Sequence, residues 1–171
     1  RQLAILMQAS DRLWRMVDGL LKFARISEES DSSHQVPQHR ILEQVLADQS
    51  QDLEHSKARI QIDPLPNAYI SELHAYQIWA NLVGNALRYR HPKRKLKLRI
   101  GYDPKKSAYF VKDNGIGIDI KFQKQIFNIF ARFSSDPLST GIGLSHVKKV
   151  IETAGGRIWV KSSAGKGACF Y

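Results

Sequence analysis

The first 26 residues form a stripe of mostly apolar positions spaced alternately three and four residues apart. This heptad spacing predicts a helix that packs against other helices. A helix of about 24 residues is roughly 36 Å long, too long for a small α/β domain to cover. We therefore expect it to pair two copies of the chain in an antiparallel bundle, the alternative being a core helix of a monomer. The stripe contains Leu3, Leu6, Ser10, Leu13, Val17, Leu20 and Ala24, and is widened by Met7, Trp14 and Leu21.

The rest of the sequence predicts a separate α+β domain. Residues 27–38 (SEESDSSHQVPQ) are polar and read as a linker, which places the domain at residues 39–171. Helices and strands then alternate irregularly and end in a hairpin-like pair, which indicates a mixed sheet with helices on one face. We expect helices near 41–56, 71–89, 121–133 and 144–154, and strands near 59–62, 96–101, 108–112, 157–161 and 168–171.

The net charge of +10 is concentrated between Arg88 and Arg99. Leu96, Leu98 and Ile100 alternate with basic residues there, the pattern of a strand with one buried and one solvated face. Attraction of a nucleotide or an acidic partner protein is the alternative interpretation. Nucleic acid is disfavoured because aromatic residues do not interleave with the cations. No apolar run is long enough for a membrane span, so we expect no membrane contact from this chain.

Three segments carry candidate chemistry. Residues 113–118 (DNGIGI) combine a carboxylate with two glycines, which reads either as an ordinary turn or as a loop that exposes its backbone to a ligand. Asn81, Asn85 and Arg88 share one helix face, suited to Mg²⁺ and phosphate or simply to water. Residues 141–144 (GIGL) open a helix whose amides could bind an anion. Together they describe a nucleotide pocket.

These segments resemble the four nucleotide-binding motifs of sensor histidine kinases, which belong to the ATPase superfamily of DNA gyrase, MutL and the large heat-shock chaperones. The resemblance covers residues 36–171, has a phytochrome-like character, and implies the Bergerat-type two-layer fold. It identifies residues 1–26 as the second helix of a dimerisation and phosphotransfer hairpin, truncated here. The matching segments are 81–89 (NLVGNALRY), 113–117 (DNGIG), 127–133 (FNIFARF) and 141–144 (GIGL), followed by 155–160 (GGRIWV).

The resemblance also implies roles for individual residues. Asp113 would bind the adenine amino group, above the turn of Gly115 and Gly117, with Tyr89 against the base. Asn85 would hold Mg²⁺. Phe127, Phe130 and Phe133 would anchor a mobile lid. Asn81, Arg88 and Arg132 would lie at the phosphates, with Asn81 and Arg132 catalytic, and the remaining ATP contacts would come from Ile118, Thr140, Gly141, Ile142, Gly143 and Leu144.

Asn81 bears on the type of reaction. Hydrolytic members of the superfamily usually have a glutamate here as general base, and asparagine cannot take a proton from water. The resemblance therefore implies a kinase that passes the γ-phosphoryl of ATP to a histidine and then to the receiver domain of a response regulator. None of the six histidines has the sequence context of a phosphoacceptor, so we expect that histidine outside this chain.

Two positions depart from the family pattern. Ser139 replaces a glycine of the last motif, and Cys169 stands where threonine is common, so a non-catalytic nucleotide-binding scaffold remains an alternative, as does a superfamily ATPase. The resemblance implies a homodimer formed through the N-terminal helix and a cytoplasmic location. The sequence leaves open the input signal, the response regulator and whether the intact protein is membrane-anchored.

Overall fold

The computed structural model describes residues 33–131 and 141–171, together with Met7, Ser10, Trp14 and Val17. Those four positions are helical and exposed, with Met7 and Trp14 each about two thirds accessible to solvent (66% and 67%). The other residues of the expected N-terminal helix and residues 27–32 of the expected linker lie outside the described residues. The dimerisation helix therefore stays a prediction.

A five-stranded mixed sheet forms one layer of the domain. Its strands are β2 (Arg59–Ile62), β4 (Lys97–Asp103), β5 (Ala108–Asp113), β6 (Val160–Ser163) and β7 (Gly167–Phe170). Their spatial order is β2-β4-β5-β7-β6; β2 runs parallel to β4, and the other neighbours are antiparallel. Leu98, Ile100, Val111 and Phe170 are buried on one face of this sheet.

The helices cover that buried face, as expected for the α+β fold. The longest begins after Ser71, whose Oγ accepts a hydrogen bond from the His74 amide (3.2 Å) and so caps the helix. Its Trp79 packs edge-on against Tyr109 of β5 (centroids 5.9 Å apart), which fixes the helix over the sheet. The α-helices of the described ranges from residue 33 onwards are α1 (Gln38–Asp48), α2 (Ser50–His55), α3 (Glu72–Arg88) and α4 (Gly143–Thr153).

The second half of the expected linker is folded. His34–Val36 forms strand β1, which pairs antiparallel with Ala68–Ile70 (β3) in a separate two-stranded sheet, and Val36 is fully buried. Neither strand was predicted. A three-residue strand carries too little periodicity to identify it, and its partner lies more than thirty residues along the chain.

Three predicted elements differ in the structure. The helix expected near 41–56 is divided at Gln49, whose Nε2 donates to the Ala80 carbonyl of α3 (3.2 Å). The prediction of a helix near 121–133 is wrong, because the described part of this segment contains a short 3₁₀ helix, Ile120–Phe122, followed by turns. Phe130 adopts φ +63°, outside the right-handed helical region. Its amide donates a hydrogen bond to the Gly141 carbonyl (3.0 Å). The strand expected at 157–161 is displaced to 160–163.

Candidate nucleotide-binding site

One cavity of about 220 Å³ collects residues from all three candidate segments. It lies between the C-terminal end of α3, the turn after β5 and the first turn of α4. Candidate residues that are far apart in the sequence therefore line the same cavity. The predicted residues that line it are Asn85, Tyr89, Asp113, Gly117, Ile118 and Leu144.

Asp113 ends β5 with its carboxylate held by the protein backbone. Oδ1 accepts hydrogen bonds from the amides of Gly115 (2.7 Å) and Ala168 (3.3 Å). Burial raises the pKa of this carboxyl above its ordinary value, and the two backbone hydrogen bonds oppose that rise. Because both bonds use Oδ1, the orientation of the whole carboxylate relative to the cavity is fixed.

The two glycines of the turn lie so close to neighbouring backbone that neither position has room for a side chain. A Cβ on Gly115 would lie 2.4 Å from the Tyr89 carbonyl oxygen, and one on Gly117, which has φ +69°, would lie 2.0 Å from the Ser163 carbonyl oxygen. The Ile116 amide also bonds the Tyr89 carbonyl (3.0 Å). The glycines therefore let the turn pack between the end of α3 and β6, which holds Asp113 in place.

Asn85 contributes a buried amide on the α3 side of the cavity. Its Nδ2 atom has no hydrogen-bond partner among the described residues. An unsatisfied buried amide costs free energy, so this position favours a polar ligand or water. Tyr89, one turn further on, caps α3 and also lines the cavity.

Asn81 lies beside the start of α4. Its Nδ2 donates to the Gln77 carbonyl (2.8 Å), and its Oδ1 is 2.6 Å from where a Cβ on Gly143 would be. The glycine at the first position of α4 lets this helix approach Asn81 closely. Gly141 precedes it with φ +72°, and Ile142 is buried.

Several predicted residues are not among those that line the cavity. The cavity lining does not include Asn81, Gly115, Gly141, Ile142 or Gly143. Arg88 is exposed on the last turn of α3. Arg132, Phe133, Ser139 and Thr140 lie outside the described residues. Cys169 lines a groove on the opposite face of the sheet, whereas its neighbours Ala168 and Phe170 line the cavity.

Sequence reasoning missed most of the apolar wall. The polar lining residue Asp119 was also missed, although its position directly after the glycine turn could have identified it. Phe122 and Ile126 belong to the segment expected to be helical, and their approach to the cavity depends on the turns that replace that helix. The residues not predicted are Ile116, Asp119, Phe122, Ile126, Ala131, Ala168 and Phe170.

A larger cavity of about 470 Å³ lies elsewhere between α3, β5 and the end of α4. Trp79, Tyr109, Ile158 and Trp159 are among its mainly apolar lining. None of the predicted nucleotide ligands lines it. The smaller cavity is the better candidate because it alone of the two combines a fixed carboxylate, a buried unsatisfied amide and a helix N-terminus.

The described residues contain no cluster of three or more His, Cys, Asp or Glu side chains that could hold a metal ion. Among the described helices, none combines the length and apolar character that crossing a lipid bilayer requires.

The sequence is similar to several curated proteins. Cyanobacterial phytochrome B of Nostoc sp. is 33% identical over 99% of this chain and 23% of its own length. The adaptive-response sensory kinase SasA of Prochlorococcus marinus subsp. pastoris is 33% identical over 66% of this chain and 33% of its own length. This chain thus spans between about a quarter and a third of the length of these two relatives.

Solved structures show the same fold. Full-length ShkA in complex with AMPPNP matches 99% of this chain and 37% of its own, with a TM-score of 0.76 and 25% identity. The Acinetobacter baumannii histidine kinase AdeS matches with a TM-score of 0.74 at 20% identity, over 98% of this chain and 81% of its own. The model of the histidine kinase-, DNA gyrase B- and HSP90-like ATPase family matches residues 70–171, and the chain belongs to this family as an ATP-binding domain of the sensor histidine kinase type.

Proposed function

We propose that this chain binds Mg-ATP in the 220 Å³ cavity and presents the γ-phosphoryl group to a histidine that is none of its own six. The observation that carries the proposal is the convergence of Asn85, Tyr89, Asp113 and Leu144 on that cavity. Adenine would lie at the Asp113 end, and the phosphates would extend towards the N-terminus of α4.

Asp113 would select adenine by hydrogen bonding. Its Oδ1 is engaged by the Gly115 and Ala168 amides, so Oδ2 is the acceptor that we assign to the adenine amino group. Guanine has a carbonyl oxygen at the equivalent position, which a carboxylate repels. Ile126 and Phe170 would pack against the base on the apolar wall.

The phosphates and the metal would be held by α3 and α4. Mg²⁺ prefers hard oxygen ligands, so we assign Oδ1 of Asn85 to the metal, because this side chain lines the cavity. Its buried Nδ2 atom, a donor without a partner in the described part of the chain, would then bind a phosphate oxygen or water. When bound, Mg²⁺ neutralises phosphate charge. The first amides of α4, at Gly143 and Leu144, lie at the positive end of the helix dipole and would bind phosphate oxygens. We assign Arg88, Arg132 and Thr140 to the same group.

Asn81 would position the terminal phosphate without activating water. Its carboxamide cannot accept a proton at neutral pH, and its orientation is fixed by the Gln77 carbonyl. Catalysis would then depend on positioning and charge stabilisation, as is general for phosphoryl transfer. We further propose a cytoplasmic homodimer, paired through the N-terminal helix, that supplies a response regulator.

An Asp113→Asn substitution tests the base assignment. The Gly115 and Ala168 amides would still hold Oδ1, which leaves the Nδ2 donor facing the adenine amino group. We expect ATP affinity to fall roughly tenfold or more, as for a lost charge-assisted hydrogen bond, and discrimination against GTP to decrease. Calorimetric titration with ATP and GTP measures both, with Asp52→Asn on the exposed surface of α2 as the control. Unchanged ATP affinity would refute the assignment.

Incubation of the full-length protein with γ-labelled ATP separates the candidate functions. A kinase retains the label on histidine, where it is labile to acid and stable to base. A scaffold binds ATP without incorporating label. A superfamily ATPase releases labelled phosphate from this chain alone, and Asn81 argues against that outcome.

A further inference from the structure

The sheet has an outer face, opposite to the helices, on which basic residues are aligned across the strands. The register places Gln61, Arg99, Lys112, Cys169 and Lys161 in one row that crosses all five strands. Arg99, Lys112 and Lys161 are exposed. Adjacent strands are about 4.8 Å apart, so these three cations extend over roughly 14 Å.

Two pairs of like charges lie directly opposite each other on this face. Arg59 is paired with Lys97 on neighbouring strands, and Arg99 is paired with Lys112. Directly opposed like charges destabilise a sheet. A bound anion would reduce this repulsion.

The acidic residues on this face neutralise Arg99 but leave the two lysines of the row without an ion-pair partner within the described ranges. Among the described residues of the five strands and their ends, the acids beside the row are Asp63, Asp103 and Asp113, and Asp113 is held by the Gly115 and Ala168 amides. Asp63 is bound by Arg99 (2.8 Å), and Asp103 is bound by Lys106. Both contacts hold the pKa of these carboxyls below its ordinary value. Lys112 and Lys161 have no ion-pair partner in the described part of the chain.

Two shallow grooves follow the row. One, of about 400 Å³, is lined by Arg59, Lys97, Arg99 and Lys112 among others. The second, of about 290 Å³, has Lys112, Lys161 and Lys166 in its lining. Lys112 belongs to both, so the grooves form a continuous basic channel across the sheet.

The linings of the two grooves contain no aromatic residue among the described residues, and the nearby Trp159 and Tyr171 line the 470 Å³ cavity. Trp159 stacks on Tyr171 with centroids 5.3 Å apart, and Arg157 lies over Trp159 at 5.1 Å. Lys106 lies over Tyr171 at 4.7 Å. Proteins that bind single-stranded nucleic acid stack bases on open ring faces. The covered rings favour an acidic protein segment over nucleic acid as the partner.

We propose that this outer face is a docking surface for an extended acidic segment of another protein, whose carboxylates bind Arg99, Lys112 and Lys161. About four to five residues of extended chain span the row, at about 3.3 Å per residue. The contact would lie on the opposite face of the sheet from the helices, and the linings of its grooves and of the nucleotide cavity have Asp113 in common.

Charge reversal tests this surface directly. The double variant Lys112→Glu/Lys161→Glu removes two cations of the row, and its new glutamate opposite Arg99 forms an attractive pair, so the variant should fold. The control Lys124→Glu/Lys148→Glu makes the same change in net charge at a turn after the 3₁₀ helix and on α4. Circular dichroism verifies that both variants are folded. Fluorescence anisotropy then measures binding of a fluorescein-labelled peptide of alternating aspartate and glutamate.

We expect the double variant of the outer face to bind this peptide at least about tenfold more weakly than the parent, and the control to change affinity by less than about twofold. Equal weakening in both variants would overturn the proposal, because net charge alone would then explain binding. It would also be overturned if a labelled oligothymidylate or phosphatidylserine vesicles bound the parent more tightly than the peptide and lost that binding in the same variant.

Discussion

The Oδ1 atom of Asn81 lies 2.6 Å from the position that a Cβ atom on Gly143 would occupy. The hydrogen bond from Asn81 to the Gln77 carbonyl prevents the side chain from turning away without loss. One turn along, the His146 ring and the Gln77 side chain are 3.0 Å apart and join the same two helices. The distance between the residues assigned to Mg²⁺ and those assigned to phosphate is therefore set by the contact between α3 and α4.

A Gly143→Ala substitution should disturb that contact. The new methyl group would displace Asn81 or shift the first turn of α4, and we expect ATP affinity to fall by roughly tenfold. Combining it with Asn81→Ala removes the collision, so the two effects on binding should be less than additive by about 1 kcal/mol. Calorimetric titration of the parent, both single variants and the double variant measures the coupling. Strict additivity would mean that the methyl group acts elsewhere.

Gly117 and Gly165 provide a matched pair for backbone strain. Both have positive φ (+69° and +76°), but a Cβ on Gly117 would strike the Ser163 carbonyl, whereas one on Gly165 has nothing within 4 Å. Gly165→Ala should cost about 1 kcal/mol, the strain of the left-handed region alone. Gly117→Ala should cost about 3 kcal/mol or more, because the turn must also move. Urea unfolding gives both values, and similar costs would show that the close packing against Ser163 is unimportant.

The raised pKa of Asp113 predicts a specific pH dependence of stability. Burial makes the folded carboxyl bind its proton more tightly than the unfolded one, whose ordinary value is 3.8. Its contribution to stability is therefore complete below that value and is lost as pH rises through the folded pKa. Relative to Asp113→Asn, the parent should gain free energy of unfolding as pH falls from about 7 to about 4.

Urea unfolding of both proteins without nucleotide, across that range, measures the difference. The comparison cancels the other titrating groups, since these are common to the two proteins. A parent that instead loses stability relative to the variant on acidification would show that the backbone hydrogen bonds to Oδ1 outweigh burial.

Asn85 should carry the metal dependence of nucleotide binding. Removing Mg²⁺ with EDTA should weaken ATP binding by the parent, because both the phosphates and Asn85 would supply oxygen ligands to the metal. In Asn85→Ala the metal-dependent part of the affinity should largely disappear, with a loss of roughly tenfold in the presence of Mg²⁺. Asn67→Ala, in an exposed loop, is the control. The assignment would be wrong if Asn85→Ala kept the full response to Mg²⁺.

Prediction from sequence succeeded for helix α3 and for the short strand β2, expected and found at 59–62, and failed for elements that depend on distant contacts. Helix α3 was expected at 71–89 and is found at 72–88, because its buried face repeats over four turns and Ser71 caps its start. Strand β1 was assigned to a linker, because its pairing with β3 is decided by residues distant in the chain. The prediction of a helix near 121–133 fails for a related reason. Its apolar residues have helical spacing, but Phe122 and Ile126 line the nucleotide cavity, a contact with elements that are distant in the chain.

The sequence by itself determined the candidate segments and their order, since the asparagine face of α3, the carboxylate turn and the glycines before α4 are local patterns. The tertiary structure alone decided which of them share a cavity, because Asn85, Asp113 and Leu144 meet only when α3 and α4 pack on β5. It also decided what the glycines do: Gly117 and Gly143 are fixed by contacts with Ser163 and Asn81, residues far away in the chain. Such contacts depend on close packing between elements, which local periodicity does not encode.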